Sequence, residues 1–186
     1  LPKKHNHIIF RFKNFKLMYH DPRRFGFFKI LKNKKDYLKF FTRIGPEAIS
    51  KDFNKEYLNK ILKNRTKNIK NLLLDQKLVS GLGNIYVNEI LFQAKINPFR
   101  KSYLINLDEN KRIVKYSKII LKKAIDFGGS SIRDFKGITG KSGNFQSEFK
   151  VYDRAKKRCS RNNCFGQISR KIISNRSTFI CSVCQK

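Results

Sequence analysis

Four cysteines constrain this chain more than any other feature. They follow the pattern Cys159-x4-Cys164-x16-Cys181-x2-Cys184. Two close pairs joined by a hairpin-length segment bring four thiolates onto one tetrahedral ion, and four thiolates leave no open position for catalysis. The expected cofactor is therefore one structural Zn2+, held by Cys159, Cys164, Cys181 and Cys184. Disulfides are the alternative reading. The clustering at one end and the absence of a secretory feature speak against them. Between the pairs, Gln167–Ile172 and Ser177–Ile180 are expected to form a hairpin with Ser174, Asn175 and Arg176 near its tip. A module this short has too little core to fold unaided, so the metal would carry its stability.

Charge narrows the partner. Among 186 residues there are 43 Lys and Arg against 13 Asp and Glu, a formal net charge of +30. Such an excess opposes compaction and favours a polyanion. An AT-rich coding bias accounts for lysine over arginine but not for the shortage of acids. Hydrophobic content of 40% is enough for a core. No apolar run approaches the length of a membrane span, and LPKKHNHIIF is not a signal peptide. The chain opens on Leu and runs almost at once into strand-like Ile8–Phe12, so a missing upstream portion is expected.

The stretch that organises the rest is GLGNIYVNE, Gly81 to Glu89. Two glycines let the backbone approach whatever lies opposite, Asn84 has the chemistry of an N-cap, and Ile85, Ile90, Leu91 and Ala94 can share one helix face. A glycine turn opening a helix points free N–H groups outward and makes an anion site. Taken alone it is equally a plain helix–turn–helix junction.

Upstream, Ile8–Phe12, Phe15–Tyr19 and Phe27–Leu31 read as strands of an antiparallel sheet, with a turn at Lys13-Asn14. Asp21-Pro22-Arg23-Arg24-Phe25-Gly26 is a second turn. It holds two cations and an aromatic at a loop tip, which suits an apolar wedge entering a base step better than a ring folded back on its sheet. Asn33–Lys39 reads as a polar loop, and Ile44-Gly45-Pro46-Glu47 as a break between domains. Helices are expected over Asn54–Lys63, over Ile69–Leu74, from Asn84 to a stop at Asn97-Pro98, and over Leu107–Phe127. The last has a capping box from Asn106 to Glu109, a buried stripe through Ile113, Val114, Ser117, Ile120, Leu121 and Ala124, and an end at Gly128-Gly129. Ser130–Gln146 reads as a long glycine-bearing loop, and Phe149–Tyr152 as a return to strand.

In this order the motifs resemble the formamidopyrimidine-DNA glycosylase family. The matching pieces are KHNH at 4–7, DPRRFG at 21–26, IGPEAIS-x-DF at 44–53, LLLDQKLVSGLGNIYVNE at 72–89, GGSSIRDF at 128–135 and the terminal cysteine module. The resemblance implies an α+β fold: a partial antiparallel β-sandwich (1–45), a helix-two-turn-helix domain with a lesion-capping loop (46–148) and a C-terminal zinc-finger β-hairpin (149–186). It implies base-excision repair of damaged double-stranded DNA: a bifunctional glycosylase and abasic-site lyase that removes 8-oxoguanine and formamidopyrimidines, working as a monomer in the bacterial cytoplasm at the nucleoid. Carried over by motif, Arg23 takes the edge of the estranged cytosine, with Arg24 beside it, and Phe25 fills the gap left by the flipped base. His5, Arg65, Lys70 and Asn84 hold phosphates. Arg176 grips the phosphate beside the lesion and serves δ-elimination, and residues 134–144 match the loop over the everted base.

One departure bears on activity. The family nucleophile is the amine of an N-terminal proline, followed by a glutamate, with a catalytic lysine farther on. None is present here. Pro2 follows Leu1, so its nitrogen is an amide, and Lys3 stands where the glutamate would be. The chain thus reads as a C-terminal fragment that retains DNA and zinc binding and is inactive alone. An endonuclease VIII-type glycosylase shares the helical and zinc parts, but DPRRFG argues against it. A non-catalytic nucleic-acid-binding zinc module is the alternative from another class.

Overall fold

In a computed structural model the described residues are 4–130 and 143–186. They form two compact units, Leu1–Phe41 and Thr42–Lys186. The expected capping segment, 134–144, lies almost wholly outside the described residues.

The first unit is built on a hairpin of β1 (Asn6–Arg11) and β2 (Lys16–His20), antiparallel with Phe10 opposite Leu17 and Arg11 opposite Lys16. Its turn closes where Phe12 N–H donates to the Phe15 carbonyl at 2.9 Å, and the two rings stack 4.5 Å apart. The expected third strand does not form: residues 27–31 pair with no ladder among the described residues. The expected polar loop at Asn33–Lys39 is instead α1 (Lys34–Phe41). Asn33 Oδ1 accepts from Asp36 N–H at 2.9 Å and starts the helix, and Tyr37, Leu38 and Phe41 recur at helical spacing. The lysines between them make the stretch look like loop.

The second unit holds α2 (Lys55–Leu62), α3 (Ile69–Leu73), α4 (Asn84–Gln93), α5 (Leu107–Asp126), β3 (Ile168–Ile173) and β4 (Arg176–Cys181). Asparagines start three of these helices: Asn54 accepts from Tyr57 N–H, Asn68 from Asn71 N–H, and Asn106 shares a reciprocal capping box with Glu109. Gly128 and Gly129, at φ 71° and 85°, close α5 in a conformation that favours glycine. The capping box and the long helix match the sequence reading. The boundary with the first unit falls at Phe41, ahead of Ile44–Glu47, and the cysteine hairpin packs into the same unit as the helices.

α4 explains that packing. One of its sides enters the main core through Val87, Ile90 and Leu91, beside Leu58, Ile69, Leu72, Ile113 and Ile120. Its far end gives Phe92 to a second cluster with Val151, Ile168, Phe179 and three of the cysteines. Because it is a wall shared by two cores, α4 is buried nearly all round and not on the single face expected.

Candidate nucleic-acid interface and metal centre

The GLG turn places its side chains differently from the sequence reading. Gly81 needs its φ of 82°, and among the described residues a Cβ on Gly81 or Gly83 would meet no atom within 4 Å beyond its chain neighbours. Gly83, not Asn84, is the N-cap, and no side chain caps the helix. Asn84 is the first helical residue. Its amide is thereby free to donate to the Ser177 carbonyl of β4 at 3.1 Å.

Lys70 reaches the same strand. Its Nζ donates to the Ser177 carbonyl at 2.9 Å and to Thr178 Oγ1 at 2.7 Å. The residue is wholly buried and supports β4 from below. Burial, and then the nearby Arg176 charge, lowers its pKa from 10.5 to about 8. Two further amides fix the strand and its turn: Asn88 Oδ1 accepts from Phe179 N–H at 2.8 Å, and Asn71 donates to Ser174 Oγ at 2.8 Å. Arg176 is exposed at the hairpin tip, where Ser174 and Asn175 carry positive φ. Lys70, Asn84 and Arg176, far apart in sequence, are thus brought to one place by a strand that three asparagines and a lysine hold down. Arg65 is exposed after α2, apart from this network.

In the first unit, Asp21 builds the DPRRFG loop. Its carboxylate accepts from the N–H groups of Gly26 (2.8 Å), Arg24 (2.9 Å) and Arg23 (3.1 Å) and from the Tyr19 hydroxyl (2.9 Å). These donors, Gly26 first, hold its pKa below the usual carboxylate value. Arg24 takes a φ of 55°, a left-handed conformation uncommon for a side-chain-bearing residue. Arg23, Arg24 and Phe25 all point to solvent, Phe25 at 83% exposure. His5 stands at the loop's base, its carbonyl accepting from Asp21 N–H at 3.0 Å.

Sequence reasoning gave Asp21 to this turn but missed that its carboxylate gathers the loop's N–H groups. It also missed Glu89, a fully enclosed carboxylate at the end of the central motif. Glu89 Oε1 accepts from the N–H groups of Lys150 (3.1 Å), Val151 (2.9 Å) and Tyr152 (2.8 Å). The expected strand at Phe149–Tyr152 is instead a turn wrapped around this group. The only signal was the one acid in a helix whose neighbouring residues Val87, Ile90, Leu91 and Phe92 are apolar.

The four cysteine Sγ atoms lie within 4.8 Å of one another. Cys159 and Cys184 are 3.9 Å apart and Cys164 and Cys181 3.6 Å. Four sulfurs at the usual Zn–S length on a tetrahedron would stand about 3.8 Å apart, so the cluster can hold such an ion. Among the described residues no helix is long and apolar enough to cross a membrane.

A family model described as the formamidopyrimidine-DNA glycosylase H2TH domain matches residues 44–136. The chain is 43% identical to a formamidopyrimidine-DNA glycosylase of Roseobacter denitrificans, aligned over 100% of this chain and 66% of that protein. It is 44% identical to one of Zymomonas mobilis, over 99% and 68%. Among solved structures, the MutM (Fpg) protein of Thermus thermophilus superposes with a TM-score of 0.88 at 32% identity, covering 100% of this chain and 70% of that one. The Lactococcus lactis Fpg in complex with DNA containing an abasic site gives 0.89 at 36% identity, covering 100% and 68%. The chain spans about two thirds of the length of these relatives. It belongs to the formamidopyrimidine-DNA glycosylase family.

Proposed function

We propose that this chain is the DNA-holding and zinc-binding part of a base-excision glycosylase and abasic-site lyase acting on 8-oxoguanine and formamidopyrimidines in double-stranded DNA. The observation that carries the reading is the convergence of Lys70, Asn84 and the Arg176 tip on one strand. The uncapped start of α4 offers N–H groups and a positive helix end to a phosphate beside that strand. Arg176 would grip the phosphate, Asn84 would orient it, and Lys70 would keep the strand in place and lend charge from below. Arg23 would read the base opposite the lesion, Phe25 would fill the vacated stack, and His5 and Arg65 would hold flanking phosphates. Cys159, Cys164, Cys181 and Cys184 would hold one Zn2+, which supplies a rigid anchor and no chemistry. The relatives are bacterial, and the protein would act as a monomer on the DNA of the cytoplasm.

The proline amine implied for the attack on C1′ has no counterpart in this sequence. The 186-residue chain should therefore bind an 8-oxoguanine duplex without becoming covalently trapped by borohydride. A strong adduct would place a nucleophile among these residues and overturn the division of roles. In the complete protein, Arg23→Ala should relax the preference for cytosine opposite the lesion, since a bidentate base contact is worth about 1–3 kcal/mol. Phe25→Ala should slow base eversion whatever the opposite base. An unchanged cytosine preference in Arg23→Ala would refute the first assignment.

Lys70 gives a pH test with opposite signs. Its pKa is lowered, so between about 8 and 10.5 the unfolded chain binds more protons at this residue than the folded one. Its contribution to stability rises with pH across that window. Duplex affinity should do the reverse, falling above about pH 8 as the charge behind Arg176 is lost. Lys70→Met should flatten that fall. A wild-type affinity that ignores pH in this range would remove Lys70 from the site.

A further inference from the structure

We propose that Phe165, with Arg158 against it and Val183 beside it, forms a second nucleic-acid contact that stacks an unpaired base of a single strand. The inference rests on the nucleic-acid reading above but not on its lesion chemistry.

Phe165 is 83% exposed, as exposed as the wedge residue Phe25. It cannot turn inward, because the backbone on both sides of it is committed. Cys164 before it is buried in the cysteine cluster. Gly166 after it lies so close to its neighbours that an added Cβ would sit 2.5 Å from Cys181 Sγ and 2.9 Å from Val183 Cγ2. The Gly166 carbonyl also accepts from Cys159 N–H at 2.8 Å. The ring is therefore held out on a rigid knuckle, and Val183, itself 53% exposed, lies against Gly166, the residue that follows Phe165.

One cation lies against it. The Arg158 guanidinium lies 5.4 Å from the ring centroid. Lys156 N–H donates to the Ile168 carbonyl at 2.8 Å and Ile168 N–H to the Lys157 carbonyl at 2.9 Å, while Arg158 bridges to Gln167. This pairing sets Lys156 and Lys157 against Ile168 and Arg158 against Gln167, so that Arg158 is the cation that reaches the Phe165 ring. No Asp or Glu occurs from Arg154 to Lys186. A ring backed by a guanidinium, in a segment rich in cations and without acids, fits a base with its phosphates, whereas a basic protein surface would be repelled. The base must be unpaired, since duplex stacking hides base faces.

The contact is distinct from the hairpin tip. Ile168 pairs with Cys181 at the cysteine end and Ile173 with Arg176 at the other. At about 3.4 Å per residue the two ends are roughly 17 Å apart. A strand gripped at Arg176 reaches Phe165 only several nucleotides later.

Fluorescence anisotropy of the whole chain with oligothymidylate and with a blunt, fully paired duplex tests this. Phe165→Ala should weaken oligothymidylate binding by about 5- to 150-fold, the range for loss of one stacked base, and change duplex affinity by less than about twofold. Arg158→Ala should weaken the same probe by less. The chain has no tryptophan, so Phe165→Trp provides a single tryptophan, excited apart from the tyrosines, whose emission oligothymidylate should quench. Unchanged oligothymidylate affinity in Phe165→Ala, equal losses on both probes, or unquenched emission would each overturn the contact. Arg176→Ala on the duplex probe reads the glycosylase surface separately, so either proposal can fail without the other.

Discussion

Removing the metal from the four cysteines should unfold the hairpin and abolish duplex binding while leaving the helical core standing. The two parts rest on different cores. Leu58, Leu72, Ile90 and Ile113 belong to one, and the cluster of Val151, Ile168 and Phe179 is completed by Cys159, Cys164 and Cys181. A structural zinc contributes apparent free energy of about 10–16 kcal/mol, comparable to or larger than the whole stability of an ordinary domain. Without it, crowded buried thiols take its place; burial pushes the Cys159 and Cys184 thiols up, so they stay protonated. Hydrogen exchange after chelation should show residues 150–186 losing protection and α5 keeping it. Cys181→Ser, at a fully buried ligand, should behave as the stripped protein does. Retained duplex affinity after complete metal removal would refute the structural role.

The second large effect is expected at Glu89. Glu89→Ala leaves the N–H groups of Lys150, Val151 and Tyr152 without their acceptor. Each unsatisfied buried donor costs about 1–3 kcal/mol, so a loss of about 3–6 kcal/mol is expected even after partial rescue by water. Burial raises the Glu89 pKa despite those donors. Between its unfolded and folded pKa the folded chain holds the extra proton, so this residue's contribution weakens as pH rises through that window. Acid should therefore not release the clamp. Glu89→Gln, which keeps one oxygen for the N–H groups, should cost less than Glu89→Ala in chemical denaturation. Equal costs would mean that packing, not acceptance, holds the turn.

The difference between what could and could not be read from the sequence has a physical cause. Asn54 and Asn106 were legible as helix starts because a cap acts within one turn, and the hairpin was legible because cysteines bracket it. Residues 27–31 have strand composition, yet a strand needs a ladder partner and none of the described residues supplies one. α1 was hidden by its lysines, and Phe149–Tyr152 reads as a strand because its true partner is the side chain of Glu89, 63 residues before Tyr152. The cysteines, Arg23, Phe25 and Arg176 were placed by motif. That Lys70 is buried under β4, and that Asn84 donates to Ser177 and is not a cap, depends on a strand about a hundred residues downstream. No local pattern carries that information.

The most direct measurement is a salt titration of duplex affinity for the chain and for Arg176→Ala. The account predicts that log affinity falls linearly with log salt, with a slope of roughly −0.9 per phosphate neutralised, and that Arg176→Ala is weaker with a shallower slope by about one phosphate. An Arg176→Ala variant that matches the wild-type chain in both affinity and slope would contradict the placement of the DNA-holding site at the β3–β4 tip.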